Sequence, residues 1–115
     1  LMTASYFAKL NGLDVVITGD SLGQVASQTL ANLKNETTAA SISVLRPLIG
    51  LDKEDIMKIA RDIGTYPVSH KKTEPCALVS KGASVSPTLE RVLRNEEGLD
   101  LAGLAKECAI RAREL

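Results

Sequence analysis

A chain of 115 residues holds one domain at most, or a piece of one, and its 44% hydrophobic content suffices to fill a core. Lys+Arg and Asp+Glu number 14 each and aromatics are only 3%, which argues against gripping nucleic acid by bulk positive charge or by base-stacking platforms. No apolar run approaches the ~20 residues that span a bilayer, no basic-then-apolar leader is visible, and Cys76 and Cys108 are too few for a disulfide scaffold, so a cytoplasmic, reducing compartment is the expectation.

Residues 1–10 carry helical apolar spacing that stops at Asn11-Gly12. Without an N-cap or an initiator Met, this start reads as the middle of a longer polypeptide. Asp14-Val15-Val16-Ile17-Thr18 is a short apolar run, as in a strand buried on both faces of a parallel sheet. It breaks at Gly19, and a helix is predicted from Ser21-Leu22, with Leu22, Val25, Ala26, Thr29, Leu30 and Leu33 on one face. After a polar loop, Ser41–Leu45 is the next strand, closed by Arg46-Pro47.

Asp52 caps a third helix, with Asp55 three residues on as its capping-box partner. Ile56, Ile59, Ala60 and Ile63 form its apolar stripe and Gly64 ends it. Tyr66–Ser69 reads as a short third strand, and residues 70–85 show no periodicity. Ser86-Pro87 opens another helix, with Pro at the favoured first position. Asp100 caps the last one, Leu101 to Leu115, where Cys108 falls in register with Leu101, Leu104, Ala105, Ala112 and Leu115 and is expected in the core. This alternation predicts an α/β fold, a parallel sheet covered by helices.

The residues after Thr18 are the most informative, because ligands of open α/β sheets bind in the crevice at the carboxyl ends of the strands. On the predicted helix Gln24 and Gln28 share a face with Ser21. Two amides and a hydroxyl suit a ligand that both donates and accepts hydrogen bonds, such as a nucleobase. Gly19 would let a ring approach closely. The plainer account, favoured on spacing alone, makes Gly19 a tight turn and the glutamines a solvated face.

Arg46 and Lys53 flank a second strand-to-helix corner. A cation in the first helical turn opposes the macrodipole by ~0.3–1 kcal/mol, yet either residue could reach a phosphate there. Surface pairing of Lys53 with its acidic neighbours is the simpler account. Cys76 lies in a cation-rich loop, where a thiol is more easily ionised and nucleophilic; a small buried residue is the commoner fate of a lone cysteine. The single His70 with two distant cysteines offers no convincing metal site.

The runs TGDSLGQVASQTLANL and VLRPLIGLDKEDIMKIARDIGT, followed by a cysteine loop and a Ser-Pro-started helix, closely resemble the tRNA 4-thiouridine synthetases. These tRNA sulfurtransferases are linked in many organisms to thiamine thiazole synthesis. The resemblance runs from about Met2 to the C-terminus. It implies the C-terminal part of a PP-loop ATP pyrophosphatase domain over residues 1–115, incomplete at its N-terminus. The implied fold is a three-layer parallel sheet flanked by helices, adenine-nucleotide hydrolase-like and Rossmann-like.

The implied chemistry is adenylation of O4 of uridine 8 in tRNA by Mg-ATP, then displacement of AMP by a persulfide sulfur. By position Gly19 and Gln28 correspond to residues that contact the adenosine of ATP. Lys53 corresponds to the lysine needed for adenylation, and Cys76 to the cysteine that takes part in sulfur transfer. The expected partners are tRNA, held through regions outside this chain, and a persulfide donor protein. The family's Ser-Gly-Gly-x-Asp-Ser phosphate loop is not in this sequence. The alternative is therefore a non-catalytic half-domain that binds a partner carrying that loop, with an exposed sheet edge that also permits self-association.

Overall fold

The computed structural model describes residues 1–24, 27–71 and 84–113. Helix α1 (Met2–Leu10) ends where its sequence predicts. Asn11 Nδ2 donates to the Phe7 carbonyl at 2.8 Å, and Gly12 takes the left-handed φ of 66° that turns the chain toward β1 (Val15–Ile17). β1 pairs in parallel with β2 (Ser43–Leu45), in the register Val15 with Ser43, Val16 with Val44 and Ile17 with Leu45. A further bond, from Thr18 N–H to the Leu45 carbonyl at 3.0 Å, carries the pairing to the strand ends. Parallel neighbours need a long crossover, and here it consists of the turn after Thr18 and helix α2 (Leu30–Thr38).

The helix expected from Ser21 does not start there. Its first residue is Leu30, and Thr29 is the N-cap, its hydroxyl accepting from Asn32 N–H at 3.3 Å. A left-handed glycine and two backbone hydrogen bonds hold the segment before it out of helical geometry. Gly23 has a φ of 77° and gives its N–H to the Gln28 carbonyl at 2.9 Å, while Leu22 N–H goes to the Ile49 carbonyl at 3.0 Å. Gln24 and Gln28 are therefore not four apart on a helix face. Of the apolar stripe expected there, Val25 and Ala26 lie outside the described residues; Leu33 is buried and Leu30 is exposed.

Helix α3 (Lys53–Asp62) is capped by Asp52 as expected, but the reciprocal bond from Asp52 N–H to the Asp55 carboxylate that a capping box requires is not among those of the described residues. Asp52 Oδ1 accepts from the N–H groups of Glu54 and Asp55, each at 2.9 Å, and Gly64, with a φ of 76°, follows its last turn. Of its apolar stripe Ile56 and Ala60 are half-buried, while Ile59 and Ile63 are exposed.

Tyr66–Ser69 is not a strand but the single helical turn α4. The Thr65 carbonyl accepts from Val68 and Ser69, and Pro67 sits in the first turn, where its missing N–H costs nothing. Helix α5 (Leu89–Glu96) begins later than Pro87, because Thr88 is its cap and accepts from Arg91 N–H at 3.3 Å.

Helix α6 (Leu101–Arg113) opens with Asp100 Oδ1 accepting from Gly103 N–H at 2.8 Å, as expected. It packs on α1 through small side chains: Ala105 and Ala109 of α6, and Ser5 and Ala8 of α1, are all buried. The expected register is rotated by about one residue. Cys108 is exposed rather than core, as is Leu104, because close approach of two helices selects the small alanines for the contact. The segment before α5 is tied to α2. Thr29 Oγ1 donates to the Val85 carbonyl, Asn32 Nδ2 to Ser84 and Asn35 Nδ2 to Pro87, at 2.6, 3.1 and 3.0 Å.

The described residues thus form an α/β unit with a small parallel sheet, its buried centre at the α1–α6 contact, with β1 packed against α1. Ile17 and Leu45, paired at the ends of the sheet, stay 65% and 53% exposed. Among the described residues no helix is long and apolar enough to cross a membrane.

Candidate functional site

A cleft of about 360 Å³ opens at the carboxyl end of β1, lined by Gly19, Ser21, Gln24, Gln28, Lys53, Ile56 and Met57. The strand-to-helix turn supplies the first four residues and the first two turns of α3 supply the rest. Three of the four residues marked in the sequence, Gly19, Gln28 and Lys53, are brought to this one place. The fourth, Cys76, lies outside the described residues.

Ser21 is the staple that brings the two walls together. It is buried, and its hydroxyl donates to the Leu51 carbonyl at 2.7 Å, one residue before the α3 cap. Its N–H donates to Gln28 Oε1 at 3.3 Å. Since a backbone N–H can only donate, the amide oxygen of Gln28 faces Ser21 and the NH₂ group remains as a donor for the cleft. Gln24 lines the same cleft but is exposed and makes no such bond among the described residues.

Gly19 is exposed, and its backbone lies outside the left-handed region that favours glycine. A Cβ added there would meet, beyond its chain neighbours, no atom of the described residues within 4 Å. Neither turn geometry nor packing thus calls for glycine at this position. What glycine does provide is a bare backbone edge on the cleft, where a flat ligand can come close.

Lys53 is the first residue of α3, exposed at the cleft rim. Among the described residues the ion pairs are Arg46–Asp20, Lys58–Asp62 and Arg111–Glu107. The surface pairing of Lys53 with acidic neighbours is not among them. Its charge favours an anion there, while the N–H groups of Glu54 and Asp55 at the helix start are already taken by Asp52. Ile56, read in the sequence only as part of the α3 apolar stripe, and Met57, not singled out there, add an apolar wall. Their helical spacing, three and four residues after Lys53, was the available signal.

Arg46 does not line the cleft. Its Nε donates to Asp20 Oδ2 at 3.0 Å, and the two side chains are only 13% and 21% exposed. His70 stacks near the Tyr66 ring at 5.3 Å, with Arg61 over the same ring at 4.6 Å, away from the cleft.

Residues 1–101 match the family described as thiamine biosynthesis protein (ThiI). The chain belongs to the ThiI family. That match includes the whole cleft. The segment is 46% identical over 99 residues to a probable tRNA sulfurtransferase of Caldanaerobacter subterraneus subsp. tengcongensis, covering 84% of this chain and 26% of the relative. It is 37% identical over all 115 residues to the tRNA sulfurtransferase of Vibrio cholerae, covering 24% of that protein. This ThiI-family chain therefore spans about a quarter of the length of the curated relatives it matches.

Among solved structures it resembles a 4-thiouridine synthetase crystallised as an RNA complex with bound ATP. The TM-score is 0.82 at 32% identity, over 93% of this chain and 28% of that one.

Proposed function

We propose that this chain is the C-terminal part of a PP-loop ATP pyrophosphatase domain in a tRNA sulfurtransferase. The corresponding whole domain is a three-layer, Rossmann-like sheet flanked by helices. Its reaction is ATP-dependent sulfur transfer to uridine 8 of tRNA in the cytoplasm, giving 4-thiouridine. The observation that carries the reading is the convergence of Gly19, Gln28 and Lys53 on one cleft at the end of β1. The named relatives and the ATP-bound neighbour support it.

The cleft suits the nucleoside end of Mg-ATP. The bare Gly19 edge and the apolar wall of Ile56 and Met57 accept the flat, weakly hydrated base, and the Gln28 NH₂ group donates to it. Lys53 faces the charge that builds as uridine O4 attacks the α-phosphorus and pyrophosphate leaves. A persulfide sulfur, brought by a donor protein, then adds at C4 and AMP departs. Cys76 takes part in the transfer as a thiolate, attacking the donor-cysteine sulfur of the incoming persulfide or of the persulfide adduct at C4. The S–S bond breaks, its electron pair leaves with the transferred sulfur, and Cys76 ends in a disulfide with the donor cysteine that a thiol reductant then opens. The triphosphate end requires a Ser-Gly-Gly-x-Asp-Ser loop from outside this sequence.

The test is a pair of substitutions in the full-length protein. Lys53→Ala should abolish AMP formation, whereas Cys76→Ser should keep adenylation and lose thiolation. Unchanged thiolation in both variants would overturn the assignment.

A second reading is kept open by the exposed apolar pair Ile17 and Leu45. In it the chain is a non-catalytic half-domain that docks on a partner carrying the phosphate loop. A monomer that binds no complementing domain in sedimentation experiments would count against that reading.

A further inference from the structure

Nothing in the immediate packing of Gly19 holds its backbone in place. It is exposed, and beyond its chain neighbours no atom of the described residues lies within 4 Å of where its Cβ would be. Its two neighbours, however, are both tied down. Thr18 donates its N–H to the Leu45 carbonyl of β2 at 3.0 Å and its hydroxyl to Asp20 Oδ2 at 2.7 Å. The same carboxylate oxygen receives Arg46 Nε at 3.0 Å, and Arg46 directly follows β2. One residue further on, Ser21 is anchored to the Leu51 carbonyl and to Gln28. Gly19 is thus suspended between anchors, and the first of them is the Asp20 carboxylate.

We propose that Asp20 and Arg46 are a positioning pair for the adenosine pocket. They lock the carboxyl ends of β1 and β2 together and so fix the Gly19 edge against Gln28, without touching the nucleotide themselves. This rests on the reading of the cleft as an adenosine site. Three observations carry it. The pair is mostly buried, so solvent and salt screen it weakly. Neither side chain lines the cleft, although Asp20 stands between two residues that do, Gly19 and Ser21. Among the described residues Asp20 is the carboxylate that pairs with Arg46, and Arg46 Nη2 is buried with no acceptor. A direct phosphate contact by Arg46 is the competing account, and it predicts a different ligand dependence.

The experiment measures binding of adenosine and of ATP to the full-length protein and to its Asp20→Asn, Arg46→Lys and Asp20→Asn/Arg46→Gln variants, with thermal melting as a check on folding. A displaced pocket edge should weaken adenosine and ATP by the same factor, about tenfold or more, since misplacement by about an ångström costs up to about a hundredfold. The KM for ATP should rise while kcat changes by less than about threefold, because the reacting groups are elsewhere. The double variant should lose no more than either single one, as two residues acting as one unit are not additive. Loss of ATP affinity with adenosine affinity intact would overturn the proposal in favour of a phosphate contact. Unchanged binding in all folded variants would overturn it outright. Failure of the unsubstituted protein to bind adenosine would instead overturn the cleft assignment, and this proposal with it.

Discussion

Gln28 Oε1 accepts the backbone N–H of Ser21 at 3.3 Å, so a side chain, rather than helix geometry, closes the turn between β1 and α2. The bond orients the amide and gives Gln28 two separable jobs. Its oxygen holds the turn, and its NH₂ group is left as a donor on a residue that lines the cleft. Gln28→Ala should lose both, and a lost hydrogen bond with a buried partner costs ~1–3 kcal/mol, or about five- to a hundredfold in ATP affinity. Gln28→Glu keeps an acceptor for Ser21 N–H but removes the donor. It should melt near the parent temperature while binding adenosine weakly. Titration calorimetry and thermal melting on the same variants check both outcomes.

Lys53 is expected to lower stability slightly while serving the chemistry. A cation at the first position of α3 opposes the helix dipole by ~0.3–1 kcal/mol. Lys53→Ala should therefore raise the melting temperature slightly or leave it unchanged. AMP formation should fall by about a hundredfold or more, as when one preorganised charge-stabilising group is removed. A parallel loss of stability and activity would show that Lys53 only supports the fold.

Asp52 sets where α3 begins and therefore where Lys53 sits. Its Oδ1 takes two N–H groups at 2.9 Å. Asp52→Ala should cost ~0.5–2 kcal/mol in urea unfolding, the usual range for a lost N-cap. Asp52→Asn or Asp52→Ser should restore most of it.

The α1–α6 contact separates neighbouring positions sharply. Ala109 is fully buried and Cys108 is exposed. Ala109→Leu should overpack the helix pair and destabilise by ~1–3 kcal/mol. Cys108→Ser should stay within about 0.5 kcal/mol, as for ordinary surface changes. Equal effects at both positions would contradict the packing register.

By itself the 115-residue chain should form no AMP from ATP and unmodified tRNA, because the loop that holds the pyrophosphate is not in its sequence. Measurable AMP from the purified chain would sink the assignment of the triphosphate site to other sequence. Combining the chain with a separately produced N-terminal portion should restore activity only if the two halves fold onto each other.

What the sequence determined by itself is local. Asn11-Gly12, Asp52, Gly64 and Asp100 act on backbone groups within about one helical turn of themselves, and each ends or starts a helix where it was read to do so. The two apolar runs pair in parallel because the long connection between them allows a crossover. The motifs TGDSLGQVASQT and LDKEDI single out Gly19, Gln28 and Lys53 through their resemblance to the family.

Tertiary structure alone decided the rest. Ser21 and Arg46 find partners 30 and 26 residues away, and no periodicity reports contacts at that range. Those contacts, with the left-handed Gly23, delay α2 to Leu30 and put Gln28 on a turn rather than a helix face. Tyr66–Ser69 is short enough to suit a strand or a helical turn, and the Thr65 carbonyl settled it. The rotation of α6 was set by which side chains are small enough for α1 to approach, so alanines took the core and Cys108 was left to solvent.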